Sequence, residues 1–208
     1  MSPAPDFYQK ARRHLARRDP VLKRLIASVG PCTLAPDPDV FPVLARSIVS
    51  QMISTPAART IVARLLQALG DEGLTPAGIL ALGEPALRGA GLSGAKVRAL
   101  TDLAGKAQTG ELPLGGFPGL TDDEVVAHLV RVRGVGTWTA QMLLIFSLGR
   151  PDVLPVDDFG LRAGVREQYG LPGLPGRAEL RSLAEPWRPY RSVATWYFWR
   201  SRGFVPQS

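Results

Sequence analysis

The sequence predicts an all-α fold. Apolar residues recur at helical spacing along most of the chain, runs of alternating β-branched residues are almost absent, and helix-start signals punctuate the segments. Helices are expected over residues 6–18, 20–28, 39–52 and 55–69. Further helices are expected over 76–82, 84–89, 93–109, 121–132 and 136–148, and the last three over 157–169, 177–183 and 189–202. Thr55-Pro56 and Thr75-Pro76 each set an N-cap hydroxyl before a proline at the first helical position. Thr121-Asp122-Asp123-Glu124 reads as a capping box with acids in the first turn. The Gly- and Pro-rich stretch from Gly110 to Gly119 reads as a surface loop. No fixed-period repeat is evident, although Gly91-Leu92-Ser93-Gly94-Ala95-Lys96 opens a helix much as Gly134-Val135-Gly136-Thr137-Trp138 does.

Composition narrows the function classes. A length of 208 residues with 45% hydrophobic content suits one large or two small closely packed soluble domains. No run approaches the roughly 18 apolar residues of a membrane helix. Met1 to Lys10 lacks the apolar centre of a signal peptide, so a soluble, cytoplasmic monomer is expected. Cys32 stands alone, which excludes an internal disulfide framework and a four-cysteine zinc or iron–sulfur site. With only His14 and His128, distant in sequence, a histidine-based metal site or triad is disfavoured. The formal charge of +7, carried largely by arginine, favours a polyanionic partner, although an Arg-, Ala- and Gly-rich codon bias would produce part of the same excess.

Three segments carry chemistry. In the first, His128 to Ala140, one helix ends and another begins around Gly134-Val135-Gly136. Two glycines two apart allow a tight turn, and the N–H groups of the next helix, from Thr137, offer an anion site beside Arg131 and Arg133. That arrangement would hold a DNA phosphate without reading a base. A plain helix cap followed by a plain helix start also fits Gly-x-Gly alone. The second segment, Val153-Leu154-Pro155-Val156-Asp157-Asp158-Phe159-Gly160, brings two acids to a helix start, where the dipole favours negative charge. Such an anion suits stabilisation of an oxocarbenium-like state and orientation of a water, whereas for either acid alone an N-cap is the simpler reading. In the third, Trp187-Arg188-Pro189-Tyr190-Arg191-Ser192 precedes Trp196, Tyr197, Phe198 and Trp199. Clustered aromatics can box a flat cation, at roughly 0.5–2 kcal/mol per contact, or form core, which is the expectation for Trp196 and Phe198.

Taken in this order, the segments resemble the helix-hairpin-helix, Gly/Pro/Asp-loop superfamily of DNA glycosylases, and in particular the AlkA-type 3-methyladenine DNA glycosylases. The likeness runs from Pro36 to Phe204. It departs at Arg133, where the family usually has proline. The resemblance implies two helical lobes with a cleft between them, one over about 36–150 including the hairpin and one of 1–35 with 151–208. It also implies that the N-terminal β domain of larger members is missing. By the same likeness Asp158 is catalytic, with Asp157 the alternative if the helix register differs by one, and Trp138, Phe159 and Trp199 line the base pocket. Arg131, Arg133, Gly134, Gly136 and Thr137 hold the backbone. In Ser47 to Ser54, Gln51 contacts the opposite strand or the stack, and Met52 wedges into the gap left by the extruded base. Trp138 stands where lyase-active relatives carry a lysine, so no strand-cutting Schiff base is expected. No organic cofactor is implied, and a monovalent cation on hairpin carbonyls is. The implied reaction is hydrolysis of alkylated bases from duplex DNA. A non-catalytic hairpin module and a glycosylase for another lesion are the rival readings.

Overall fold

A computed structural model of the chain describes residues 6–203. Residues 1–5 and 204–208, the outer ends of the expected second lobe and of the family likeness, lie outside it. Among the described residues the regular structure is helical: α1 Phe7–Arg18, α2 Pro20–Val29, α3 Val40–Ser50, α4 Thr55–Leu69, α5 Pro76–Gly89, α6 Gly94–Thr109, α7 Asp122–Leu129, α8 Thr137–Phe146, α9 Phe159–Tyr169, α10 Arg177–Leu183 and α11 Arg191–Ser201, with three short 3-10 turns. None of these helices is long and apolar enough to cross a membrane.

Local chemistry sets the helix ends. Asp19 caps α2 through Val21 N–H at 2.8 Å and Leu22 N–H at 3.1 Å, ahead of Pro20 in the first turn. Thr75 caps α5, and Thr121 with Glu124 closes the expected capping box on α7. The cap of α4 is Ser54 rather than Thr55, one residue earlier than the Thr-Pro signal suggests. The two short helices expected on either side of Gly83 are the arms of α5, bent where Gly83 takes φ 72°. The expected surface loop from Gly110 to Gly119 is mostly exposed, but it is not structureless. It contains a 3-10 turn, Leu114–Gly119, that packs on α3 with Phe117 fully buried, so two apolar side chains, Leu112 and Phe117, tie this glycine-rich stretch down.

The chain forms two compact units, one spanning Asp37–Leu148 and the other made of the described residues up to Pro36 and from Gly149 onward. In the first, α3 is central and packs on α4, α6 and α8. Its Phe41, Leu44, Ile48 and Val49 are buried, as are Met142 to Phe146 of α8. Each such side chain contributes about 1.5–3 kcal/mol by leaving water. In the second unit α11 is central, packing on α1, α2 and α9, and every residue from Ser192 to Trp199 is buried. Gly164 makes the α9–α11 approach feasible: a Cβ there would lie 2.8 Å from the Phe198 carbonyl oxygen. Asp19 is buried in this unit and accepts from Trp187 Nε1 at 2.8 Å and from the Tyr169 hydroxyl, besides its capping bonds. Four donors make a buried carboxylate tolerable.

Candidate active site and nucleic-acid interface

The hairpin belongs to the Asp37–Leu148 unit. α7 stops at Leu129, three residues before the expected end, because Arg131 N–H turns back to the His128 carbonyl and Val132 N–H to that of Leu129. Val135 N–H then closes on the Val132 carbonyl at 3.0 Å. Gly134 needs its glycine twice over: φ is 72°, and a Cβ would meet the Ala99 Cβ at 3.3 Å. Gly136 is the N-cap of α8 and has no side chain to occupy the first-turn N–H groups. Arg131, Arg133, Gly136 and Thr137 are exposed, and Trp138 is half-buried. Arg133 also supplies a contact that its side chain does not predict: its backbone N–H donates to Asp102 Oδ2 at 2.7 Å. Lys106 Nζ donates to Asp102 Oδ1 at 2.6 Å. Burial pushes the Asp102 carboxyl up, but these two donors outweigh it and hold the group below its ordinary value.

The segment expected to fill the DNA stack is in the same unit. α3 ends at Ser50 rather than running through Met52, since Gln51 leaves the helical region and Met52 takes φ 58°. Met52 is the sole positive-φ residue among the described non-glycines and is 100% exposed. That is a large apolar side chain in water on a left-handed backbone that costs about 1–2 kcal/mol, so packing does not explain it. Gln51, expected to contact the opposite strand or the stack, also makes contacts within the protein. Its Nε2 donates to the Gly134 carbonyl at 3.1 Å and to Thr139 Oγ1 at 2.8 Å, so its amide is committed to the hairpin.

Asp158, Phe159 and Trp199 lie in the other unit. Asp158 is the N-cap of α9 and is only 6% exposed. Its Oδ1 accepts from Leu161 N–H at 2.6 Å and from the Trp199 indole Nε1 at 2.8 Å. Two donors on one oxygen fix the carboxylate's orientation. Asp157 is instead exposed and pairs with Arg177. The simpler N-cap reading therefore holds for Asp158: the buried, oriented carboxylate is itself the cap of α9. Phe159, the first residue of α9, is 65% exposed.

The aromatic cluster of the last helix differs more. Trp196, Tyr197, Phe198 and Trp199 are all buried, because α11 is surrounded by α1, α2 and α9. Trp199 presents its N–H to Asp158 rather than an open face, and Phe198 lies 5.1 Å from the Trp187 ring as core. Arg191 and Ser192 anchor the segment that leads to Asp158. Arg191 grips Asp152 at 2.7 and 2.9 Å, while Ser192 Oγ donates to the Arg150 carbonyl and accepts from Val153 N–H. Sequence reasoning missed Asp102 and Lys96, whose Nζ donates to the Val49 carbonyl at 2.7 Å, at the end of α3. The one available signal was Lys96 in the Gly91–Lys96 turn, which looked like a second, incidental glycine turn. Among the described residues no group of three His, Cys, Asp or Glu side chains could hold a metal ion.

Known proteins share this fold. The chain is 31% identical to the structure of the Schizosaccharomyces pombe 3-methyladenine DNA glycosylase Mag1 in complex with abasic DNA, with a TM-score of 0.85 over 96% of this chain and 99% of that one. It is 32% identical to a DNA-3-methyladenine glycosidase from Bacillus halodurans, with a TM-score of 0.77 over 98% and 92%. It is also 33% identical to the alkylbase DNA glycosidase-like protein mag2 of Schizosaccharomyces pombe, over 93% of each chain. The model of the HhH-GPD superfamily of base excision DNA repair proteins matches residues 45–189, which include the hairpin and Asp158, and the chain belongs to that superfamily.

Proposed function

We propose that this chain is a monofunctional DNA glycosylase that hydrolyses the bond between deoxyribose and an alkylated base, 3-methyladenine and related adducts, with Asp158 as the catalytic carboxylate. The observation that carries the reading is the state of Asp158: nearly buried, capping α9, its Oδ1 oriented by a backbone and an indole N–H. A carboxylate fixed in this way can face positive charge developing at C1′ as the base departs with the bonding electron pair. It can also accept a proton from the water whose oxygen bonds to C1′, leaving an abasic sugar and the free base. Placing that charge beforehand avoids reorganisation during the reaction, an effect worth about 3–4 kcal/mol where single stabilising groups have been removed from enzymes.

The choice of alkylated bases rests on the names of the relatives and on chemistry. Methylation at a purine ring nitrogen leaves the base cationic and a better leaving group, so a modest pocket suffices. Phe159, 65% exposed at the start of α9 and next to Asp158 in the chain, is a surface that could stack on it. The hairpin holds the duplex through backbone N–H groups, Arg131 and Arg133, and Met52 fills the vacated stack. The monovalent cation that the resemblance implies fits the donor set of the turn. The Leu129 and Val132 carbonyls are neutral, each accepts one N–H, and a carbonyl retains a second lone pair. The residue after the hairpin is Trp138, whose indole carries no amine for a Schiff base, and the Lys96 ammonium is engaged by the Val49 carbonyl. The chain is proposed to act on duplex DNA as a monomer.

The test is base release from methylated duplex DNA by wild type and Asp158→Asn. Release by wild type and none by the variant, with duplex affinity retained, is expected. Equal release by both would remove Asp158 from the mechanism, and binding without release by either would favour a binding-only module.

A further inference from the structure

We infer that Gln51 is a positioning residue, a strut that locks the Met52 wedge to the hairpin so that the phosphate grip and the stack-filling side chain move as one body. The inference rests on the reading of Met52 as the wedge. Three observations carry it. Met52 is wholly exposed on a left-handed backbone, a conformation that persists only where its surroundings impose it. The loop's own backbone bonds are too long to impose it: Gln51 N–H to the Ile48 carbonyl and Ile53 N–H to that of Ser50 are both 3.4 Å. The short bonds come from elsewhere. Gln51 Nε2 donates to the Gly134 carbonyl at 3.1 Å and to Thr139 Oγ1 at 2.8 Å, and Lys96 Nζ donates to the Val49 carbonyl at 2.7 Å.

These partners determine what the strut does. Gly134 is the turn glycine of the hairpin, and Thr139 lies in the first turn of α8, 1% exposed, so neither can follow a wandering loop. The Gln51 amide uses its two N–H donors on them, one on each side of the N–H groups offered to the phosphate. A phosphate held there is therefore held at a fixed distance from Met52. Lys96, half-buried and with its ammonium pushed to a lower pKa by that burial, ties down the preceding turn independently. Without the strut the wedge would still be present and the duplex would still bind. What would fail is delivery of the side chain to the correct step of the stack.

The test uses the full chain with Gln51→Leu, Met52→Ala, the double variant, Thr139→Val and Thr139→Ser. Two readouts are taken: the rate of fluorescence change of 2-aminopurine beside a stable abasic analogue in a duplex, which reports insertion into the stack, and single-turnover base release from methylated duplex DNA. Gln51→Leu is expected to slow both by about tenfold while affinity for undamaged duplex stays at the wild-type value. Thr139→Val should share this phenotype and Thr139→Ser should not. The double variant should be no slower than Met52→Ala alone. Additive losses in the double variant would overturn the strut, as would a Gln51→Leu that weakens undamaged duplex in proportion. Full insertion and release by Met52→Ala would remove the wedge itself and this proposal with it. Thermal melting of each variant separates these results from misfolding, and Thr139→Val stands in if Gln51→Leu does not fold.

Discussion

Asp158 and Trp199 form a pair whose parts the sequence shows unequally. The string Leu154-Pro155-Val156-Asp157-Asp158 announces a carboxylate at a helix start, because an apolar run, a proline and an acid leave few alternatives. That Trp199 meets this carboxylate with its N–H edge was not legible. Aromatic residues at helical spacing give no sign of which edge faces which neighbour, and the sequence suggested an open stacking wall. The structure therefore predicts that Trp199→Phe, which preserves most of the packing and removes one donor from Oδ1, lowers single-turnover base release by about 10- to 100-fold. Duplex affinity should stay unchanged, and a release rate equal to wild type would show that the indole N–H is not needed to orient the acid. Asp102 yields a pH prediction. Its carboxyl titrates below the ordinary carboxylate value because the Arg133 N–H and Lys106 outweigh burial. A group lowered on folding adds stability above its unfolded value and loses it as pH falls through the folded one. Wild type should thus melt above Asp102→Asn at neutral pH, and the gap should close as pH falls below about 4. A gap that persists in acid would mean that the charge is not what matters at this position.

At the scale of helices, the residues that cap or bend them were the most readable. Gly83, Thr75 and the Thr121–Glu124 box mark their sites correctly because each acts on its own few neighbours. Ends set by distant contacts were not readable. α3 stops at Ser50, where Lys96 holds the Val49 carbonyl of its last turn and the next residue, Gln51, is tied to the hairpin, and α7 stops at Leu129 because its chain turns back on itself. The same limit hid Phe117, since a buried ring within a Gly- and Pro-rich loop is visible only from what packs on it. Two predictions belong to this scale. Gly164→Ala would place a Cβ 2.8 Å from the Phe198 carbonyl, so α9 and α11 must part. A loss of about 1–3 kcal/mol is expected in chemical denaturation, and an unchanged midpoint would mean that α11 shifts freely. In the hairpin, Arg131→Ala or Arg133→Ala should weaken all duplexes alike and lower the salt slope by about one per residue. A variant that instead changes lesion preference at constant salt slope would place that arginine against a base.

At the scale of the molecule, a charge of +7 pointed to a polyanion without saying where it would bind, and helical periodicity gave the fold class but not its division. The division is between Asp37–Leu148, which carries the hairpin and Met52, and the remainder, which carries Asp158. Its second unit is assembled from both ends of the chain, a long-range pairing that periodicity does not encode and that only the family resemblance implied. The residues of the proposed chemistry are distributed accordingly, with grip and wedge in one unit and carboxylate in the other. The absence of an amine at Trp138 adds a whole-enzyme prediction: borohydride should trap no covalent adduct with abasic DNA, and a trapped adduct would reveal a lysine acting as nucleophile. The most direct test of the account is chromatographic separation of the bases released from methylated duplex DNA by wild type and by Asp158→Asn. The account predicts free 3-methyladenine from wild type, none from the variant, and equal binding of duplex by both; release by Asp158→Asn at the wild-type rate would contradict it.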